Sequence, residues 1–339
     1  MNLSTMLRVE IESLLRGDTR ELARAISQIE ARDPGVGEML ERIWDARPES
    51  VELSSQVVGL TGPPGSGKST MADSLTQLWR EQGLRVAVLA VDPNSPFTGG
   101  AILGDRVRMQ RHALDRGVFI RSMGARGHLG GVSLATRGAV RLLDALGWEM
   151  VLVETVGVGQ SELEICEVAD SVVVVTTPGA GDGVQVIKAG ITEIADIFAV
   201  NKADLPGADR VTRDLRDMLR LSTPKAGWKV PVVATVAAQG DGGVRDLAAA
   251  IAAHRSHLEV SGELSERLRR RLREEVVELV SARARAFATD LLAGGAPELL
   301  PEDARRADPE RAADLVLGRF HNHGLGTGAA ELSTVTERS

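Results

Sequence analysis

The sequence predicts an α/β fold in which helices cover both faces of a doubly wound, mostly parallel sheet, with helical extensions at both ends. From residue 56 onward, short runs of β-branched residues alternate with helical stretches, as is typical of a parallel sheet buried on both faces. Nearer the termini, apolar residues recur only at helical spacing. We therefore predict an N-terminal helical extension over residues 1–50, a sheet domain over 51–260, a C-terminal helical extension over 261–325 and a disordered tail over 326–339.

Six apolar runs account for the predicted sheet: 56–61, 85–91, 149–154, 171–177, 197–201 and 230–235. Two short amphipathic helices are predicted before them, separated by Pro34. In the C-terminal extension one helical face is apolar and needs a partner surface; it consists of Leu264, Leu268, Leu272, Val276 and Leu279. Glutamates flank the arginines between 267 and 273 at helical spacing, so we expect these arginines on a solvated face.

Composition excludes several classes of protein. The 339 residues include 40 basic and 47 acidic side chains, and the resulting net charge of −7 argues against a general binder of nucleic acid. The one cysteine, Cys166, excludes an intramolecular disulfide and fits a cytoplasmic location. The longest apolar runs are far shorter than the ~18 residues of a membrane span, so no membrane segment is predicted.

Residues 62–70 carry a phosphate-binding sequence directly after the first predicted strand. They match G-x-x-x-x-G-K-[ST] at every fixed position and lead into a helix-compatible run. The glycines let backbone amides curl around phosphate, Lys68 reaches the β and γ oxygens, and Ser69 offers a hydroxyl to Mg²⁺. The alternative is a fortuitous glycine-rich turn. The predicted nucleotide-binding residues here are Gly62, Pro63, Pro64, Gly65, Ser66, Gly67, Lys68, Ser69 and Thr70.

An N-K-x-D sequence, formed by Asn201, Lys202 and Asp204, ends another predicted strand. A carboxylate there accepts hydrogen bonds from guanine N1–H and the exocyclic amine, whereas adenine offers neither donor at these positions. A site that hydrogen-bonds its substrate can reject an analogue lacking the donors by about 10⁴ to 10⁵. Four such residues alone are common on exposed turns, but their position after a P-loop favours GTP over ATP.

Acidic residues near strand ends predict a magnesium site beside the P-loop. Glu154 takes the first position of a D-x-x-G switch, and Asp92 and Asp105 follow the second strand. Such oxygen ligands suit Mg²⁺, although Glu154 could be a surface carboxylate, Asp92 a turn residue before proline and Asp105 a helix N-cap. Val158 stands where small GTPases often place a water-orienting Gln, and Gln160 comes two residues later. We therefore expect slow intrinsic hydrolysis.

Four stretches together resemble the MeaB/ArgK type of P-loop GTPase, the chaperones of adenosylcobalamin-dependent acyl-CoA mutases. They read GPPGSGKST, AVDPNSPFTGGAILGDRVRM, ETVGVGQSE and NKAD, and the similarity covers residues 50–258. The resemblance implies that four residues surround Mg²⁺, namely Ser69, Asp92, Asp105 and Glu154. It also implies a base-contacting turn at Ala237, Ala238 and Gln239, with Ala237 where relatives carry serine.

Two further features are implied by the resemblance. A third mobile segment is expected at residues 177–188 and includes Lys188; the alternative is an ordinary loop with a solvated lysine. Relatives form a homodimer through their helical extensions, and the alternative is that these helices fold back on their own domain.

On this resemblance the chain is expected to hydrolyse GTP to GDP and phosphate, as a chaperone that loads and protects an adenosylcobalamin-dependent mutase. The expected catalytic residues are Lys68, Asp92, Asp105, Glu154 and Lys188. Two alternatives are a metal-insertion GTPase for nickel enzymes and an ATP-dependent kinase of a transport system. Divergence in residues 121–128, which are predicted to form a loop, leaves the client mutase open.

Overall fold

A computed structural model describes residues 9–33, 35–47, 55–92, 110–112, 114–124, 131–155, 165–179, 191–221, 227–239, 242–294 and 308–328. Within these residues the strands are β1 (Gln56–Thr61), β2 (Val86–Asp92), β3 (Val118–Gly124), β4 (Met150–Thr155), β5 (Ser171–Thr176), β6 (Ile197–Val200) and β7 (Val232–Ala234). The sheet order is β3-β2-β4-β1-β5-β6-β7, and every neighbouring pair is parallel. This confirms the predicted α/β class.

The helices of the described residues are α1 (Ile11–Leu15), α2 (Thr19–Ala31), α3 (Val36–Ala46), α4 (Lys68–Glu81), α5 (Gly131–Ala145), α6 (Ile191–Ile194), α7 (Ala208–Leu221), α8 (Val244–Val260), α9 (Glu263–Ala293) and α10 (Pro309–Gly328). None of them is long and apolar enough to cross a membrane. The predicted tail begins at residue 326, but α10 continues to Gly328, and residues 329–339 lie outside the described part of the chain.

Alternate side chains of the sheet point to opposite faces, and helices cover both. Val57 lies in an apolar cluster that includes residues of α1, α2, α3, α5 and α7. Its neighbour Val58 lies in a second cluster, with residues of α4 and α8. The N-terminal helices therefore complete one of the two helical layers of the sheet.

Strand β3 corrects the sequence analysis, which missed it and assigned residues 121–128 to a loop. Residues 121–124 belong to β3, which pairs with β2 at the edge of the sheet. Arg121 disguised this strand, because a charged side chain interrupts its apolar run. Its guanidinium is paired with Glu30 and also donates to Ser27 Oγ on α2.

The chain consists of two compact units, residues 1–271 and residues 272–339. The first contains the sheet, α1 to α8 and the first turns of α9. The second contains the rest of α9 together with α10, and within it the rings of Phe287 and Phe320 meet edge to face with centroids 5.4 Å apart. The four-part division predicted from the sequence stays a prediction.

The arginine run of α9 also corrects the sequence analysis. The side chains of Arg267 and Arg271 are only 14% and 9% exposed, whereas Arg269, Arg270 and Arg273 are exposed as predicted. The buried pair is four residues apart, so both side chains lie on one face of the helix. That face meets carboxylates at the amino edge of the sheet.

These carboxylates belong to Asp170 and Asp196, which directly precede β5 and β6. Asp170 accepts hydrogen bonds from Arg271 Nη1 at 2.8 Å and from the Val57 amide at 3.0 Å. Asp196 accepts from Arg267 at 3.4 Å. Buried charges are tolerated when they are paired in this way, and the pairs fix the start of α9 against the sheet.

Beside them, His254 of α8 is fully buried, with Nδ1 2.7 Å from Ser171 Oγ and Nε2 3.5 Å from Asp196. Burial lowers the pKa of His254 below its ordinary value, and the charge of Asp196 opposes this shift.

The predicted apolar face of α9 is partly exposed. Leu268, Leu272 and Val276 are 51%, 53% and 50% exposed. That this face needs a partner surface stays a prediction.

Candidate functional site

The P-loop follows β1, the central strand, at the carboxyl edge of the parallel sheet. Its glycines allow close backbone contacts: Gly62 has φ = 138°, and a Cβ there would overlap the Val175 carbonyl of β5. Gly67 has φ = 92° and immediately precedes α4, where a Cβ would overlap the side-chain amide of Asn201. Only glycine combines these φ values with so little space.

Lys68 is the first residue of α4 and is buried. Its Nζ donates hydrogen bonds to the carbonyls of Gly62 at 2.7 Å and Pro63 at 3.2 Å, so the loop curls around the ammonium group. The amide groups at the N-terminus of α4 are positive at the same point. A lysine and a helix N-terminus inside one glycine-rich loop form an anion-binding site.

Ser69 and Glu154 bring two oxygen ligands together beside this loop. Ser69 Oγ donates to Glu154 Oε1 at 2.6 Å, and Glu154, on strand β4, is buried. The residue pairing of β1 with β4 sets Leu60 opposite Glu154, which places the carboxylate next to the P-loop strand. A hydroxyl and a carboxylate at this distance fit the donor set that Mg²⁺ prefers.

Asn201 follows β6 and is buried between the P-loop and the predicted base turn. Its Nδ2 donates to the Ser66 carbonyl at 2.8 Å. Its Oδ1 accepts from the Ala237 amide at 3.1 Å and from Thr235 Oγ1 at 3.3 Å. One side chain therefore links two segments that are far apart in the sequence.

Lys202 and Asp204 extend this arrangement toward solvent. Lys202 has φ = 58°, which is uncommon for a residue other than glycine, and its Nζ donates to the Gly65 carbonyl at 2.9 Å. Asp204 is exposed, and its carboxylate has no partner among the described residues. The carboxylate is therefore open to a ligand that brings hydrogen-bond donors.

The predicted base turn is a short 3₁₀ helix, Ala237–Gln239, next to Asn201. Ala237 is buried, whereas Ala238 and Gln239 are exposed. The sequence analysis missed the contribution of Thr235, whose buried hydroxyl donates to Asn201. No local pattern marked it, because this contact joins two different strand ends.

Other predicted residues lie wholly or partly outside the described part of the chain. Asp92 ends β2, which pairs with β4, but only its backbone is described. Asp105, Val158, Gln160 and Lys188 are not among the described residues. Of the predicted metal ligands, the structure thus brings Ser69 and Glu154 together.

Comparison with known proteins identifies the family. The family described as "Methylmalonyl Co-A mutase-associated GTPase MeaB" matches residues 22–289. The chain belongs to the MeaB family. It is accordingly a GTPase, as the glycine-rich loop and the guanine-type N-K-x-D sequence predicted.

Several relatives agree with this assignment. A Pyrococcus abyssi protein is 46% identical over 93% of this chain and 97% of its own length. The GTPase ArgK of Escherichia coli is 36% identical, covering 80% of this chain and 85% of its own. A mouse protein named "Methylmalonic aciduria type A homolog, mitochondrial" is 34% identical over 74% of this chain and 64% of its own. Among solved structures, one titled "LAO/AO transport system kinase" has a TM-score of 0.63 at 25% identity, covering 95% and 99% of the two chains.

We predict that Gly67→Ala disrupts the site by displacing Asn201. A Cβ at residue 67 occupies the space of the Asn201 amide, so the link to Ser66 cannot form. Gly83→Ala is the matched control, because Gly83 has a similar φ of 85° with nothing within 4 Å of the added Cβ. Calorimetric titration with GDP should show binding lost in the first variant and retained in the second. Equal affinities would contradict a role for the Asn201 link in nucleotide binding.

Proposed function

We propose that this GTPase acts in the cytoplasm as a chaperone that loads the cofactor of an adenosylcobalamin-dependent acyl-CoA mutase and protects the mutase, and that GTP hydrolysis gates the loading. Nucleotide binding is supported by one observation: Asn201 is hydrogen-bonded to the P-loop, and the exposed Asp204 carboxylate lies three residues further along the chain. The family description and the name of the mouse relative support the mutase as partner. A ligand that binds two conformations of a protein unequally shifts their populations, and this is how nucleotide exchange would drive loading.

In this proposal the phosphates of GTP lie in the loop around Lys68, which exchanges its contacts with Gly62 and Pro63 for phosphate oxygens. The base lies between Asp204 and the turn at Ala237, Ala238 and Gln239. Ser69, Asp92, Asp105 and Glu154 would hold Mg²⁺, which would neutralise charge that develops on the phosphates. The contact between Ser69 and Glu154 supports this ligand set.

Base recognition is tested by Asp204→Asn. Hydrogen bonds to a charged group contribute about 1.5 to 3 kcal/mol, so we expect GTP affinity to fall roughly ten- to a hundredfold. Affinity for xanthosine triphosphate should rise, because the Asn amide can donate to the xanthine C2 oxygen.

The control for this experiment is Asp209→Asn, which removes an exposed carboxylate from the start of α7. Competition by ATP is measured in parallel. A variant that prefers GTP by the wild-type margin would place the base elsewhere, and strong competition by ATP against the wild type would favour the kinase alternative.

Hydrolysis by the chain alone should be slow, because Val158 cannot orient a water molecule. We expect an adenosylcobalamin-dependent acyl-CoA mutase from the same organism to accelerate single-turnover hydrolysis at least about tenfold, since water-positioning and charge-stabilising groups are worth ~10³ to 10⁵ in rate. Lys188→Ala should abolish this stimulation while GTP affinity is retained.

Lys229→Ala, which removes an exposed lysine, is the matched control. Equal stimulation of the Lys188→Ala and Lys229→Ala variants would favour the alternative that Lys188 is a solvated lysine in an ordinary loop. A fast rate without the mutase would contradict the argument from Val158.

We further propose that a second copy of the chain packs on the exposed stripe of α9, forming a homodimer. Leu272, Val276 and Leu279 follow one another at helical spacing and are all exposed. Contiguous apolar surface of this kind marks interaction sites.

Leu272→Asp should therefore convert a dimer into a monomer in sedimentation velocity while GDP affinity is kept. Leu221→Asp, at an exposed leucine ending α7, should leave the mass unchanged. A wild-type protein that sediments as a monomer would refute the dimer.

A further inference from the structure

Helix α4 contacts the base turn through one buried hydroxyl. Ser74 Oγ donates a 2.8 Å hydrogen bond to the Ala237 carbonyl, and both residues are buried. Ser74 lies in the same helix as Lys68 and Ser69, which are predicted to bind phosphate and Mg²⁺, but it is separated from Ala237 by 163 positions in the sequence. No motif includes Ser74, and nothing described above gives it a function.

The peptide groups on both sides of Ala237 are held by side chains. Its amide donates to Asn201 Oδ1 at 3.1 Å, and its carbonyl accepts from Ser74. The Gln239 amide is also used, because it donates to the Val236 carbonyl at 2.9 Å. The Ala238 amide has no acceptor among the described residues, and Ala238 is exposed. The Ala238 amide is therefore the backbone donor of this turn that remains available, and it belongs to the same peptide group as the Ala237 carbonyl that Ser74 holds.

Ser74 supplies a hydroxyl to the turn that contains Ala237. Residues 237–239 are Ala, Ala and Gln, so the turn has no hydroxyl of its own. The hydroxyl of Ser74 reaches the same residue from helix α4 instead. A buried carbonyl without a donor is costly, and a donor on a rigid helix fixes its direction.

We propose that Ser74 is a positioning residue for base specificity: it fixes the Ala237 peptide so that the Ala238 amide donates to the 6-oxo group of guanine. This rests on the proposed binding of the base between Asp204 and the turn. The two groups read different edges of the base, since Asp204 accepts from N1–H and the 2-amino group. Loss of Ser74 should therefore weaken recognition at C6 and leave recognition at C2 intact.

Two nucleotide analogues separate these contacts. 6-Thioguanosine diphosphate keeps N1–H and the 2-amino group but replaces the 6-oxo acceptor with sulfur, a weak acceptor. Inosine diphosphate keeps the 6-oxo group and N1–H but lacks the 2-amino group. The ratio of the dissociation constants of 6-thio-GDP and GDP reports the turn, and the ratio for IDP and GDP reports Asp204.

The experiment compares Ser74→Ala with Thr76→Val by calorimetric titration of the full chain. Thr76 also carries a buried hydroxyl on α4, but its Oγ1 has no hydrogen-bond partner among the described residues. In Ser74→Ala we expect GDP to bind roughly three- to tenfold more weakly and 6-thio-GDP nearly as in the wild type, since one neutral hydrogen bond is at stake. The IDP ratio should not change, and Thr76→Val should change neither ratio.

Equal weakening of all three nucleotides by Ser74→Ala, or the same change in Thr76→Val, would overturn the proposal. If Ser74→Ala does not fold, Ser74→Cys retains most of the volume with a weaker donor, and an unchanged 6-thio-GDP ratio in that variant would also overturn it. A wild-type protein that binds GDP, IDP and ADP equally would instead refute the proposed base site itself.

Discussion

The side-chain amide of Asn201 is the contact on which the geometry of the nucleotide site depends. Its donor group holds the Ser66 carbonyl of the P-loop and its acceptor group holds the Ala237 amide of the base turn. One planar group therefore sets the P-loop and the turn at Ala237 relative to each other. Because Asn201 is buried, any displacement leaves polar groups without partners, and this makes the arrangement stiff.

Near the P-loop, Lys68 and Glu154 have hydrogen-bond partners within the protein. Lys68 donates to carbonyls of the P-loop, and Ser69 donates to Glu154. In the proposed function, nucleotide and metal would compete with these internal contacts, so their binding free energy would be the difference between two sets of contacts. The contacts of Lys68 with the carbonyls of Gly62 and Pro63 hold the loop in its curled shape.

Sequence reasoning predicted the parts of the structure that have local signatures. The P-loop needs glycines at fixed positions, and six strands formed apolar runs without an internal charged residue, so both could be predicted. Strand β3 was not predicted, because Arg121 interrupts its apolar run. The burial of Arg267 and Arg271 was not predicted, because an arginine-rich stretch usually faces solvent. In both cases the deciding partner is a carboxylate distant in sequence, Glu30, Asp170 or Asp196. Ser74 and Thr235 could not be predicted for the same reason, because the partners of their hydroxyls are also distant in sequence.

Strands β5 and β6 carry polar groups at both of their ends, so the amino and carboxyl ends of the sheet's strands differ in function. At the carboxyl ends of these strands, the Val175 carbonyl leaves no room for a Cβ at residue 62, and Asn201 directly follows β6. At the amino edge, Asp170 and Asp196 hold the arginines that begin α9. Since the same two strands are buried throughout, neither edge can shift without disturbing apolar packing across the sheet. The sheet therefore holds the P-loop and Asn201 at one end of its strands and the start of α9 at the other.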